Sequence, residues 1–410
     1  MRQPKVNPRW GVVAAAFLGM CGTWIPHASF GVFLPVLSVE FGWSRGAIAS
    51  VASLNLLLGG ILGFWVGAAS DRYGSRRLLA LSAVVTGAGY LLASAINTLW
   101  HFYLLLGVVL GVSMSGLYVL PTALVARWFV EHRGLALGIL LAGLNLAYAT
   151  GGPLSAALIN VVGWRRAYLF LGLLVWLVAV PASFFMKAPP SEGAPRVTTP
   201  PGTATAGRSQ TAGTTFREIL ADRRLWLLTL TWGLLGSANM MMAIHMVPYA
   251  KDQGITLERA SLALTIYGFS SIGGRLLFGA AADRLGTRPT FWFCLTLQLM
   301  TFLGVLTRPS VWIFYLLILC FGLMSAGADT AVVKAASEVF GLRAIGAIMG
   351  FLSLGWRCGA ALGPAAAGFI YDATGSYLVA FGLATGGLGV GLVFFTLGTS
   401  PLRRRADASR

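Results

Sequence analysis

The feature that most constrains this chain is the recurrence of apolar runs about as long as a bilayer is thick. Twelve can be read, at 11–37, 47–69, 78–95, 100–125, 134–162, 167–186, 225–249, 260–282, 290–306, 311–335, 345–371 and 377–398. The second, Ala47 to Ala69, would be ~35 Å long as a helix rising ~1.5 Å per residue, enough to cross a hydrocarbon layer of ~30 Å. Inside that layer no water satisfies backbone N–H and C=O groups, so only helices and closed barrels span it. Runs this long and this rich in Gly and Ala do not suit barrel strands, which alternate in short segments. The expected fold class is an all-α integral membrane protein with twelve transmembrane helices. Composition agrees: 57% of the 410 residues are hydrophobic and 10% charged, against about a quarter charged in globular domains. A mean hydropathy of +0.76 excludes a disordered chain, a coiled coil and a secreted disulfide scaffold. The first run lacks a convincing small-residue cleavage site and is read as a membrane helix rather than a removed signal.

The formal net charge of +17 suits either a nucleic-acid binder or a membrane protein with basic cytoplasmic loops. The positions of the charges decide between them. With the N-terminus on the cytoplasmic side, 21 of the 30 Lys and Arg fall on that side of the spans. Six lie opposite (Arg45, Arg165, Arg166, Lys251, Arg259 and Arg308), and three (Arg275, Lys334 and Arg357) fall inside spans. This is the positive-inside pattern, so both termini are expected in the cytoplasm, with the chain in an inner (plasma) membrane. No basic stripe is interleaved with exposed aromatics, and nucleic acid is not an expected partner; the lipid bilayer is. Cys21, Cys294, Cys320 and Cys358 all lie in apolar runs without metal-ligand spacing. They read as small buried hydrophobes, with no metal or cofactor expected.

Residues 187–224 break the pattern. Lys187 through Thr215 is Pro, Gly, Thr, Ala and Ser with scattered Arg, the composition of a flexible linker. The expected division is an N-terminal six-helix bundle at 1–186, a cytoplasmic linker at 187–224, a C-terminal six-helix bundle at 225–402 and a basic tail at 403–410. The two bundles repeat one another. Gly67, Asp71, Arg72, Gly74 and Arg76 after the second span match Gly279, Asp283, Arg284, Gly286 and Arg288 after the eighth, 212 residues later. Gly152-Pro153 matches Gly363-Pro364 after 211. Two motifs at nearly one period indicate a parallel duplication. In each copy the first Gly permits close helix approach, and the Asp caps a following helix or pairs with Arg. The second Gly permits a left-handed reversal. The cluster reads either as a structural turn or, since it occurs twice, as a gating latch.

The repeated GxxxDRxGxR pattern resembles the signature of the major facilitator superfamily. That likeness implies two pseudo-symmetric six-helix bundles working by alternating access. Two stretches are similar to the monocarboxylate porters and the oxalate/formate antiporters. One is Arg9-Trp10-Gly11-Val12-Val13 with Ser29-Phe30-Gly31-Val32-Phe33 and Glu40-Phe41-Gly42-Trp43-Ser44-Arg45; the other is Trp128 through Gly138. The acidic residue and double Gly usual before the first-helix Trp are here Pro8 and Arg9.

An ionisable group at the bilayer centre costs roughly 2.5–3.5 kcal/mol on insertion scales, which makes each one a functional candidate. Arg275 lies about seven residues, ~10 Å, from the end of its span, beside Gly273 and Gly274, which are read as leaving room for a ligand. A guanidinium matches a carboxylate bidentately and is weakly hydrated. The resemblance implies a substrate-carboxylate arginine at this position; a structural pair with Asp329 is the other reading. Arg357 is also near mid-depth, where oxalate-type members carry a second cation. It either contacts substrate or is neutralised by Asp329. Lys334 is read as structural, able to snorkel to the interface. In the N-terminal half, Tyr118, Asn145, Tyr148, Asn55 and His27 are the polar groups near mid-span, with Met240–Met242, Trp24 or Trp356 facing the apolar part of a substrate. Taken singly, such groups are more often helix–helix contacts or packing.

Proton coupling is where the sequence departs from the family. The Asp one turn before the span-8 arginine is here Ser271, and the first-helix lysine falls on Ala28. Asp329, His27 and His245 are the substitute carriers, unless exchange proceeds without protons. The leading expectation is a monomeric secondary transporter of small organic monocarboxylates, lactate-, pyruvate- or oxalate-like, by symport or antiport. A multidrug or cation exporter is second, although it would want embedded acids rather than bases. A membrane sensor would need a folded appendage that the linker does not provide. An enzyme is not expected, since neither GxSxG nor HExxH occurs.

Overall fold

The computed structural model describes residues 8–129, 133–186, 221–340 and 345–400. The expected linker up to residue 220 and the basic tail at 403–410 lie outside the described residues. Regular structure among those described is helical throughout: α1 (Pro8–Ala28), α2 (Phe30–Phe41), α3 (Arg45–Tyr73), α4 (Ser75–Ala93) and α5 (Leu99–Phe102). A π-helical segment, Tyr103–Val109, joins α5 to α6 (Leu110–Trp128). Then come α7 (Arg133–Phe185), α8 (Arg223–Asp252), α9 (Leu257–Leu285), α10 (Thr287–Leu306), α11 (Val311–Phe340), α12 (Ile345–Thr374) and α13 (Leu378–Gly398).

Among the described residues ten of these stretches are long and apolar enough to cross a membrane. One is a double crossing: α7 turns at Gly163, whose φ of 80° is open to glycine. The thirty-residue α12 packs along α8 and completes twelve. The first crossing is broken into α1 and α2 at Ser29, just after Pro26. Helix starts follow local chemistry. Ser44 Oγ accepts the Ala47 N–H at 3.2 Å to begin α3, and Asp222 accepts the Arg224 N–H at 2.8 Å to begin α8.

The helices run past the apolar runs, which changes the reading of the repeated motif. Asp71 and Asp283 fall within the last turns of α3 and α9, and the Asp283 carboxylate pairs with Lys334 rather than capping the next helix. Gly74 (φ 85°, ψ 131°) and Gly286 (φ 93°, ψ 156°) are extended at positive φ rather than left-handed helical, a region nearly exclusive to glycine. A methyl on Gly279 would come no nearer than 3.9 Å to Thr330, so close approach is not what this glycine provides. The Gly67 and Asp71 side-chain surroundings lie outside the described residues.

Close approach is provided elsewhere, by glycines one turn apart. On α12, Gly355, Gly359 and Gly363 face α8: side chains there would strike Thr229, the Gly233 carbonyl and the Ser237 carbonyl. On α7, Gly143 and Gly151 stand in the same way against the Phe17 and Ile25 carbonyls of α1. These positions repeat after 212 residues, so the equivalent of Gly363 in the first half, judged by packing, is Gly151. Gly152, its match by dipeptide, instead faces Leu264 and Ser261 of the other half. Small-residue rows of this kind let helices approach at backbone distance where lipid supplies no hydrophobic drive. Two apolar cores result, one mainly from residues before 186 and one mainly from residues after 225.

Both described ends of the chain lie on one face, since the crossings are even in number. At the opposite face the halves are joined. Arg45 of α3 donates twice to Asp252 of α8, at 2.7 Å each, and once to Tyr377 Oη at 3.0 Å. Its guanidinium lies 4.0 Å above the Tyr371 ring. Asp372 accepts the Arg45 and Gly46 backbone N–H groups at 2.8 and 2.7 Å, capping α3 from the other half. Asn160 bonds Glu258 at 2.9 Å nearby. Towards the termini, hydrogen bonds between described residues stay within a half: Lys334 to Asp283 at 2.5 Å, Arg288 to Thr399 at 2.8 Å and Thr396 at 3.0 Å. Lys334 is thus an ion-pair partner of the motif rather than a free snorkelling chain.

Gly359→Ala should destabilise the protein by about 1–3 kcal/mol through backbone overlap. Gly386→Ala, with nothing described within 4 Å, should be neutral or slightly stabilising. Unfolding midpoints of both variants in one detergent check the contrast.

Candidate functional site

Between the halves lies a cavity of about 500 Å³. Each half delivers side chains to it from helix faces set by the glycine contacts just described. From α3 come Asn55 and Gly59; from α6, Met114, Ser115 and Tyr118; from α7, Asn145 and Tyr148; from α1, Trp24 and His27. The second half contributes Trp232, Asn239 and Met240 (α8), Tyr267, Ser271 and Arg275 (α9), Ser325 and Asp329 (α11), and Trp356 and Arg357 (α12). Eight of the nine substrate and proton candidates therefore line one space, although they come from sequence positions as far apart as His27 and Arg357.

His245 is the ninth and lies elsewhere. It is wholly buried near the sealed face, with Nδ1 3.0 Å from Tyr377 Oη and Nε2 2.9 Å from the Pro364 carbonyl. Met240 lines the cavity, but Met241 and Met242 are in the C-terminal core, because consecutive helical residues point ~100° apart.

The cavity charges differ in their attachments. Asp329 accepts the Trp232 indole N–H at 2.9 Å. Arg357 lies 5.8 Å over the Tyr118 ring, a cation–π contact across the halves. Its aliphatic stem has room because residue 60 is glycine: a Cβ there would stand 2.8 Å from Arg357 Cδ. Among the described residues Arg275 has neither a hydrogen bond nor an ion pair. Its neighbours Gly273 and Gly274 face Leu323 of α11, so they serve helix packing rather than room for a ligand. The charged side chains lining the space are two arginines and one aspartate, an excess of one positive charge. Asn55 is committed to the Leu106 carbonyl at 2.8 Å, a helix–helix bond. Asn145 reaches its own helix carbonyl at 3.5 Å, a weak bond that leaves it available. Tyr148 meets Tyr267 of the other half edge to face, at 5.8 Å. Trp24 packs on His27 at 4.8 Å and on Tyr118 at 6.2 Å, and its buried indole N–H has no hydrogen-bond partner among the described residues.

Sequence reasoning missed Trp232 and Asn239. They lie seven residues, two turns, apart on α8 and so share a face, but an apolar run hides which face matters. Asn239 accepts from Gln298 at 2.8 Å. Of the repeated motif, Asp283 pairs with Lys334 and Arg288 ties α10 to α13, while Arg76 lies over Phe184 at 5.2 Å and Arg72 over Tyr73 at 5.5 Å. Arg284 is exposed.

The Major Facilitator Superfamily model matches residues 12–258 and 233–410. The chain belongs to that superfamily of membrane transporters. It is 27% identical to the uncharacterized MFS-type transporter YcxA of Bacillus subtilis (strain 168) over 389 residues, 92% of each chain. It is 26% identical to monocarboxylate transporter 11 of Homo sapiens over 391 residues, covering 91% of this chain and 79% of the other. A solved bacterial homolog of the human lysosomal transporter Spinster, inward-facing and unoccupied, has the same fold. The TM-score is 0.71 at 15% identity, over 97% of this chain and 96% of that one.

Removing the Trp232–Asp329 bond leaves a buried carboxylate short of a donor, so Trp232→Phe should cost about 1.5–3 kcal/mol. In the Asp329→Asn background the same change should cost less. A double-mutant cycle on unfolding in detergent measures the coupling, and strict additivity would contradict it.

Proposed function

We propose that this transporter moves small organic monocarboxylate anions, lactate-, pyruvate- or oxalate-like, by rocking its two halves about the central cavity. The observation that carries the reading is Arg275: a guanidinium lining the cavity within the electrostatic reach of Asp329 but with no hydrogen bond or ion pair among the described residues. An always-charged group in a low-dielectric wall calls for an anion, and the fork of donors fits a carboxylate bidentately. With two arginines and Asp329 lining it, the site has one positive charge to spare, which suits a monoanion. Tyr118, Tyr148 and Asn145 offer polar groups for substrate oxygens; Met240 and Trp356 offer apolar surface. The names of the monocarboxylate-transporter relatives point the same way. By the positive-inside pattern the termini are cytoplasmic, which makes the sealed face the outer one and the cavity open inward. The protein acts as a monomer in the plasma membrane, and transport is coupled either to protons or to a counter-anion. Cavity aromatics around Asp329 favour one other reading, a lipophilic-cation exporter.

Uptake by proteoliposomes of a labelled monocarboxylate panel plus one lipophilic cation, with and without a pH gradient, separates these. Carboxylate uptake should fall roughly ten- to hundredfold in Arg275→Ala, the loss of a charge-assisted bidentate pair. Normal carboxylate transport by that variant, or movement of the cation alone, would overturn the proposal. Dependence on internal anion rather than on the gradient identifies exchange.

A further inference from the structure

The group that the cavity leaves out, His245, is joined to the outer seal by an unbroken chain of hydrogen bonds whose direction can be worked out. The Pro364 carbonyl only accepts, so Nε2, 2.9 Å away, carries the hydrogen. A neutral imidazole then has a lone pair at Nδ1, and the Tyr377 hydroxyl, 3.0 Å away, must donate to it. With its hydrogen so used, Tyr377 Oη accepts from Arg45 Nη1 at 3.0 Å, while the rest of that guanidinium holds Asp252. Every donor in the chain Arg45–Tyr377–His245–Pro364 has one acceptor. The seal as seen is matched to neutral histidine.

We propose that His245 is a proton-binding site, separate from the substrate cavity, whose occupation opens the outer seal. The proton adds to Nδ1 and no other bond is made or broken covalently. Both ring nitrogens then donate, and Nδ1–H turns on Tyr377 Oη, which already receives Arg45. The phenol hydrogen loses its acceptor, and two cationic donors converge on one oxygen. The neighbouring carboxylate, Asp252, is already taken up by Arg45 and the Tyr371 hydroxyl. Relief comes from separating Arg45, on the first half, from Tyr377 and Asp252, on the second, and that separation is the outward opening.

The charges that reach His245 are Arg45 and Asp372, which act on it with opposite signs, so the carboxylate does not cancel the effect in place. From α3 comes Arg45; from α12 come Tyr371, under the Arg45 guanidinium, and Asp372, which is spent on the Arg45 and Gly46 N–H groups. From its own helix come Tyr249, bonded to the Val305 carbonyl, and Asp252. Helix α2 meets α8 here through Gly31 against the Ile244 carbonyl, and α13 contains no titratable side chain. On α9, Glu258 is held by Asn160, and the α11 acid, Asp329, is bound at Trp232, thirteen residues or ~20 Å down the helix from His245. A state that binds an extra proton gains population as pH falls, so acid on the outside favours the outward-open form. This gives proton coupling a location in a chain that lacks the family's lysine and aspartate, and it rests on the transporter reading without depending on which substrate is carried.

The test is an opening measurement that needs no substrate. Spin labels are placed at V161C and T256C, exposed positions on either half at the sealed face, in the full chain with its four native cysteines replaced by alanine. Their distance distribution is read by pulsed electron resonance in lipid at about pH 8 and about pH 5. The open population should rise about fivefold or more at the lower pH, and His245→Gln, which retains a donor and an acceptor but takes up no proton, should abolish the change. Tyr377→Phe, which leaves the histidine but removes the linking oxygen, should flatten the response and stands alone if the glutamine variant does not fold. No pH response in the parent, or a full response in either variant, overturns the proposal. Failure of the carboxylate reading appears only in the uptake panel.

Discussion

The contact on which this molecule depends is backbone against backbone, where α12 lies on α8 through Gly355, Gly359 and Gly363. Lipid does not drive helices together as water does, so surface complementarity at carbonyl distance has to hold them. That contact also sets the rotation of both helices. With Gly359 on the Gly233 carbonyl, Trp356 and Arg357 turn towards the cavity on one side of α12. On α8, Trp232, Asn239 and Met240 are carried to the same space. Further along, the same register brings the Pro364 carbonyl to His245. The α1–α7 pair repeats the arrangement in the first half, and its partners Trp24, His27, Asn145 and Tyr148 face the cavity from the opposite wall.

Charge is distributed on this scaffold with different degrees of satisfaction. At the sealed face Arg45 is well paired, with a bidentate carboxylate, a hydroxyl and an aromatic ring below it. At the termini face Asp283 and Lys334 satisfy each other within one half. Midway, Asp329 has a single indole donor, Arg357 has a ring, and Arg275 has none. Among the described residues the charges are thus paired at both ends of the bundle and underpaired at its centre.

Much of this was legible in the sequence. The spans, their duplication, and the embedded Arg275, Arg357 and Asp329 come from hydropathy and charge position, which are local properties that survive any packing. The glycine row on α12 was visible only as a Gly-Pro dipeptide, and pairing by dipeptide put the repeat one residue out of register with the packing. Gly273 and Gly274 looked like space for a ligand and are instead a surface for α11. Gly279 looked like a packing residue and has open surroundings. A glycine in sequence permits many things, and the neighbour decides which.

Sequence alone determined that the chain is a twelve-span bundle of two related halves, with cations in its interior that a bilayer would otherwise exclude. Those conclusions follow from the cost of apolar and charged groups along one dimension. Tertiary structure decided which face of each helix looks inward: that His27 joins the cavity while His245 joins the seal, that Trp232 holds Asp329, and that Met240 parts from Met241 and Met242. It also decided which end is closed, because Arg45, Asp252 and Asp372 meet across more than two hundred residues. Each residue turns the helix by ~100°, and only packing against other helices fixes where that rotation ends.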